Sequence, residues 1–254
     1  MNRFPLRNSL RMALAGMTVL VVTLLWSSAP HAAESTIRIG DFSSLTPGSP
    51  LPTVWQPLTF KKIKQHTQYR FVDDGGPTVV QADSRHSASG LIRKVSIDPR
   101  AYNKISWRWK VSSVYAKGDV ALKSGDDFPA RVYITFAYDP SRVGFLEKAK
   151  YEAARLIYGE TPPLAAITYI WASRAPTGLM VANAYTDRVK MVVLQSGTAR
   201  AGRWVVEKRD IYADYKKAFG GEPTRISGVA IMTDSDNTGE SARAWYGDIV
   251  FSKE

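Results

Sequence analysis

From residue 35 onward the chain switches between apolar and polar at every second position, again and again. In "KISWRWKV", Ile105, Trp107 and Trp109 fall on one face and Ser106, Arg108 and Lys110 on the other. "RVYITFAYD" sets Val132, Ile134, Phe136 and Tyr138 together, and "STIRIGDF" alternates Ile37 and Ile39 with polar neighbours. "SGLIRKVSID", "AITYIWAS", "VKMVVLQS", "GRWVVEKRD", "ISGVAIMTD" and "SARAWYGDIVF" continue the series. A strand points successive side chains to opposite faces, so the pattern predicts many half-buried strands. "YRFVDDGGPTVVQADS" reads as strand, Asp-Asp-Gly-Gly turn, strand, while residues 45–57 form a Pro-rich loop. The predicted fold is mainly β, a two-sheet antiparallel β-sandwich of jelly-roll type.

Two stretches break the alternation and predict peripheral helices. "VGFLEKAKYEAARLIYGE" places Phe145, Ala149, Ala153, Leu156 and Ile157 on one helical stripe. "DIYADYKKAFGGEP" starts with Asp210 as N-cap, offers Tyr212, Tyr215 and Phe219 for burial, and stops at Gly220-Gly221.

Composition adds a location. Residues 1–33 read as a cleaved signal peptide, with Arg3, Arg7 and Arg11 ahead of an apolar run and "SSAPHAA" before a cut after Ala33. The apolar run, about 15 residues, falls short of the roughly 20 a membrane span needs. The expected protein is periplasmic or secreted, without a membrane span once cleaved. Residues 34–254 suit one β-sandwich domain. The absence of cysteine excludes disulfides, cysteine zinc sites and cysteine nucleophiles. Losing the three leader arginines takes the formal charge from +11 to +8. The basic residues are scattered, and no basic stripe interleaved with aromatics is visible, so no nucleic-acid partner is expected.

Candidate chemistry lies in two acidic segments. In "KSGDDFPARVYITF", Asp126 and Asp127 occupy a loop bounded by Gly and Pro, and Arg131 opens the next strand. Such neighbours can form a bidentate, charge-assisted pair, which would brace the loop or orient a carboxylate for a ligand. In "TDSDNTGE", Asp234, Asp236 and Asn237 concentrate oxygen donors. They fail the helix-loop-helix calcium spacing: counted from Asp234, position five is Thr238 and position twelve is Trp245. A looser calcium site at Asp234 and Asp236 stays open, beside the plainer reading of a polar hairpin turn before the last strands. Among aromatics, Trp109 and Trp245 suit the core, whereas Trp55, in the Pro-rich loop, and Trp171, near Arg174, are candidate ligand platforms. His66 and His86 lie apart and in no metal-binding pair, and no nucleophile elbow or phosphate-binding loop occurs. Carboxylate-only glycoside chemistry is compatible with the acids present.

The ordered motifs "SWRWKV", "GDDFPARVYITF", "YIWASRAPTG", "GRWVVEKRDIYADYKKAFGGEP" and "AIMTDSDNTGESARAWYGDI" resemble the exported bacterial family catalogued as domain of unknown function 3047. The resemblance implies that Gly125, Asp126, Asp127 and Arg131, with Asp234, Asp236, Asn237 and Gly239 and then Tyr246, Gly247 and Asp248, are family pattern. "ISGVAIMTDSDN…AWYGDIVF" also looks like the closing strands of carbohydrate-binding jelly-roll modules, an analogy of fold. The leading expectation is a binding module for a glycan or cell-envelope polymer. Asp126, Asp127 and Arg131 would form the polar floor, with Asp234, Asp236 and Asn237 nearby and Trp171 with Arg174, or Trp55, as platform. The alternatives are a carboxylate-dependent hydrolase or lyase on the same polymers, and a structural protein without a ligand. No cofactor is expected beyond the open question of calcium.

Overall fold

Alternating side chains give β-strands at nearly every predicted place. The computed structural model describes residues 35–158 and 161–253; the expected signal peptide lies outside the described residues. The elements are β1 (Thr36–Gly40), β2 (Gln56–Leu58), β3 (Gln68–Val72), β4 (Val79–Arg85), β5 (Ala88–Ile97), β6 (Lys104–Val111), β7 (Ala130–Phe136), α1 (Phe145–Tyr158), β8 (Ala165–Ala172), β9 (Met180–Asn183), β10 (Thr186–Ser196), β11 (Val205–Asp210), α2 (Ile211–Phe219), β12 (Ile226–Asp234), β13 (Ser241–Tyr246) and β14 (Ile249–Ser252).

They build two seven-stranded sheets, the predicted mainly β sandwich of jelly-roll type. Sheet A runs β1-β14-β6-β13-β4-β3, with β11 on the other edge of β6; sheet B runs β2-β5-β12-β7-β8-β10-β9. The antiparallel expectation needs one correction. β10 pairs β8 in parallel, because β9 and β10 form a hairpin whose second strand inserts between β8 and β9.

The sheets share one core. Trp107 and Trp109 of β6 meet Tyr169 and Trp171 of β8 at ring distances of 5.2 and 6.1 Å. In β7, Val132, Ile134 and Phe136 enter this core, while Arg131 and Tyr133 turn to the outer face of sheet B. β8 is buried along its whole length. Its other face joins Phe128, Ala175, Met191 and Val193 in a second, smaller core. That second core borders the site described below.

α2 forms as expected. Asp210 accepts from the Ala213 amide, Gly220 ends the helix at φ 76°, and Tyr215 packs on Phe136 at 4.4 Å. α1 occupies its predicted place, but the first part of its apolar stripe faces solvent: Phe145 is 84% exposed, and Ala149 and Ala153 are exposed, while the side chains of Leu156 and Ile157 lie outside those described. Tyr151 faces the protein instead, stacking on Tyr138 at 4.0 Å, and Glu147 pairs with Arg188.

The segment "TDSDNTGE" is not a hairpin. β12 belongs to sheet B and β13 to sheet A, so residues 235–240 carry the chain between sheets. "SARAWYGDIVF" is also two strands. β13 and β14 both pair with one edge of β6, and Gly247 makes the break, its amide bonded to Arg108 O at 2.9 Å. A Cβ on Gly247 would lie 2.5 Å from the Arg108 side chain, so any larger residue would force that side chain aside.

Candidate functional site

β7 and β12 are antiparallel neighbours, with Met232 opposite Arg131. This register sets the start of one strand beside the end of the other, and so brings the two acidic segments together. Arg131 Nε donates to Asp234 Oδ1 at 2.8 Å, and Nη2 donates to Asp234 Oδ2. The predicted bidentate pair therefore exists, with a different carboxylate from the one expected. Asp126 is a second partner: its carbonyl accepts from Nη2, and its Oδ1 lies 3.5 Å from Nη1. Nη1 also donates to the Tyr133 hydroxyl at 3.1 Å, and the guanidinium lies 4.4 Å from the Phe128 ring.

Further bonds stitch the loops to each other. Asp127, fully buried, accepts from the Thr238 amide at 2.6 Å and from Asn237 Nδ2 at 3.1 Å. Glu240 accepts from the Ala116 and Lys117 amides at 2.9 and 2.8 Å. Asp234 Oδ1 accepts from the Phe128 amide at 3.2 Å. Each carboxylate thus takes donors of another segment, buried ones for Asp127 and Asp234 and exposed ones for Glu240, which ties the loops around the cluster.

The outer side of this cluster opens into a groove of about 850 Å³. Asp126, Arg131, Asp234, Asp236 and Asn237 line it, joined by Tyr133, Asn183, Tyr185, Met232 and the 59–63 segment with Phe60. Asn183 Nδ2 donates to Asp126 Oδ2 at 2.9 Å, and the Tyr185 hydroxyl lies 3.0 Å from Asn237 Oδ1. Tyr185 is 57% exposed and Phe60 40%.

The aromatic expectations are corrected. Trp171 has no exposed surface, packs in the main core and donates its indole N–H to Gly197 O. Trp55 is 3% exposed and packs on Phe42. Neither ring can stack on a ligand as folded. Arg174 bonds Ala116 O and stands outside the groove lining. The groove aromatics are Tyr185, Phe60 and Tyr133, which the strand pattern did not single out. Tyr185 carried one signal, an aromatic inside the polar turn "NAYTD".

Four carboxylates surround one guanidinium, and this shapes their protonation. Burial pushes the Asp234 carboxyl up, to about 8, with the Asp127 and Asp126 charges adding and Arg131 opposing. Burial pushes Asp236 up as well, again helped by Asp127. Burial works against the Arg131 cation, but Asp234, Tyr133 and Asp126 together outweigh it and hold the guanidinium charged. Asp127, Asp234 and Asp236 each bring one oxygen within 4.8 Å of the others, adding Asp127 to the pair considered for calcium. The oxygen-only donor set suits a hard cation, and Arg131 already serves both Asp234 oxygens as a built-in one.

A family model matches residues 53–250, a span that includes every residue of the groove. The chain belongs to that family, described as Protein of unknown function (DUF3047). No curated protein matches the chain. Among solved structures it is similar to the family 11 carbohydrate-binding module of the cellulase Lic26A-Cel5E of Clostridium thermocellum, with 9% identity, 88% of this chain and 97% of that one covered, and a TM-score of 0.42. It is similar to endoglucanase 3 of Trichoderma harzianum, with 8% identity, coverage of 81% and 100%, and a TM-score of 0.39. It is also similar to winged bean acidic lectin, with 10% identity, coverage of 86% and 99%, and a TM-score of 0.37. Among the described residues, no helix is long and apolar enough to cross a membrane.

Proposed function

We propose that this family member is an exported module that binds a glycan or glycan-like envelope polymer in the groove on the outer face of sheet B. The observation that carries the reading is convergence. Segments distant in sequence deliver the half-buried Asp236 carboxyl group, two amides and an exposed aromatic ring to one concavity, above a guanidinium that braces its floor. Planar amide and carboxyl groups match the paired hydroxyls of a sugar, and an aromatic ring covers its C–H face. Ligand sites in general combine apolar lining with a few fixed polar groups in this way. The lining groups are already held by the Asp126–Asn183 and Tyr185–Asn237 contacts, which lowers the cost of ordering them on binding.

The hydrolase reading finds less support. Asp127 and Asp234 are sealed, and both Asp234 oxygens are engaged by Arg131.

The test is titration against soluble neutral polysaccharides and envelope glycan fragments, with the wild-type protein and Tyr185→Ala. Binding to at least one, weakened about tenfold by the substitution at unchanged melting temperature, supports the reading, since stacking contacts contribute on the order of 1 kcal/mol. Binding to none, or equal affinity in the variant, overturns it.

A further inference from the structure

The outer face of sheet A carries an arrangement invisible in the linear sequence. Register places Lys110 opposite Trp245, Trp245 opposite Gln81, and Gln81 opposite Arg70, a row across β6, β13, β4 and β3. The next row sets Arg243 opposite Asp83 and Asp83 opposite Gln68. Arg108 lies 4.4 Å from the Trp204 ring centroid, and Lys110 lies 4.3 Å from that of Trp245. Basic and aromatic side chains thus interleave across strands.

The charges on this face do not balance. Arg70, Arg85 and Arg243 gather on the single carboxylate of Asp83 at 3.8, 3.1 and 3.0 Å. Their side chains are 58%, 74% and 41% exposed, against 12% for Asp83. Lys110 is matched by Asp74, which also accepts from the Trp204 indole N–H at 2.9 Å. Beside the three arginines the surface sinks into a groove of about 640 Å³, lined among others by Gln65, His66, Gln68, Arg70 and Arg85. One carboxylate cannot saturate three guanidinium forks, so outward-facing N–H donors remain beside a groove.

We propose that this face is a second binding surface, whose ligand is a uronate-bearing acidic polysaccharide. Ligand carboxylates would take the unused N–H donors of Arg70, Arg85 and Arg243, and the polymer would continue along the row toward Trp245. Nucleic acid fits less well. Single-strand binders need aromatic faces open to bases, whereas a lysine lies over Trp245 and an arginine over Trp204. The surface lies on the opposite sheet from the groove with Tyr185, so the two can fail independently.

Polygalacturonate is the probe, titrated by calorimetry at low and at physiological salt, with dextran as the neutral control and oligothymidylate as the nucleic-acid control. The expected result is binding to polygalacturonate that weakens at least about tenfold at the higher salt. The triple variant Arg70→Gln, Arg85→Gln, Arg243→Gln should lose about tenfold in affinity. Arg85→Glu, at the most exposed of the three, should lose severalfold at unchanged melting temperature, which separates binding from folding. Tyr185→Ala should bind the probe as the wild type does. Absence of binding, salt-independent binding, wild-type affinity in both arginine variants, or loss of binding in Tyr185→Ala would overturn the proposal. Tighter binding of oligothymidylate than of polygalacturonate would overturn the assignment of the ligand.

Discussion

Asp234 and Arg131 stand 103 positions apart and meet as a two-pronged pair, Nε to Oδ1 and Nη2 to Oδ2, with side chains 3% and 2% exposed. Removing Asp234 leaves the Arg131 guanidinium charged and buried. Asp234→Ala should therefore cost about 3–5 kcal/mol, read as a lower urea midpoint. Asp234→Asn, which keeps an acceptor for the guanidinium, should cost less. Equal stability of the alanine variant and wild type would show that the pair does not hold the loops.

The pH dependence should run opposite to that of ordinary salt-bridged acids. Asp234, and in the same direction Asp236, is raised in the folded state above its unfolded value. The folded chain then holds more protons than the unfolded chain between about 4 and about 8, the unfolded and folded values of Asp234. Stability falls as pH rises through that window, by at most about 1.4 kcal/mol per pH unit for one proton. Urea denaturation at successive pH values should show this slope, and Asp236→Asn should reduce it. A flat profile in wild type would contradict the assigned direction.

Trp171 and Tyr185 should respond in opposite ways. Trp171→Ala opens a hole in the main core and should cost about 3–5 kcal/mol. The milder Trp171→Phe should lower the melting temperature and leave glycan affinity unchanged. Tyr185→Ala should do the reverse. A Trp171→Phe variant that folds normally but loses ligand would return that tryptophan to the site.

Glu240 should govern the loop that carries Ala116 and Lys117. Its carboxylate accepts both of their amides. Glu240→Ala should raise hydrogen exchange at those two amides by about tenfold, matching a local loss of about 1–2 kcal/mol. Unchanged exchange would mean that other contacts hold the loop.

Strands announced themselves in the sequence because one face of each meets the core, as in β6, where every second residue is buried. The same signal failed for Trp171. Every position of β8 is buried, so alternation could not tell a core ring from an outward one. Asp126, Arg131, Asp234, Asp236 and Asn237 could be named because acids, amides and Arg clustered locally. Which acid Arg131 would take could not, because strand order within sheet B decides it. The interleaved rows on sheet A were hidden for the same reason. Each strand contributes only one or two of their members, and only the register across strands aligns them.

The crossing at residues 235–240 also bears on how the protein reaches its native state. β12 completes one sheet and β13 enters the other, so Tyr246 meets Thr233, and Ser84 meets Ser235, only after both sheets have docked. Such distant pairings form late, once the loop entropy of closing the chain has been overcome. The groove, lined by strands of sheet B and the loops at their ends, does not wait for that step. Losing the contacts at the crossing would therefore loosen the two sheets against each other and leave the register that shapes the groove in place.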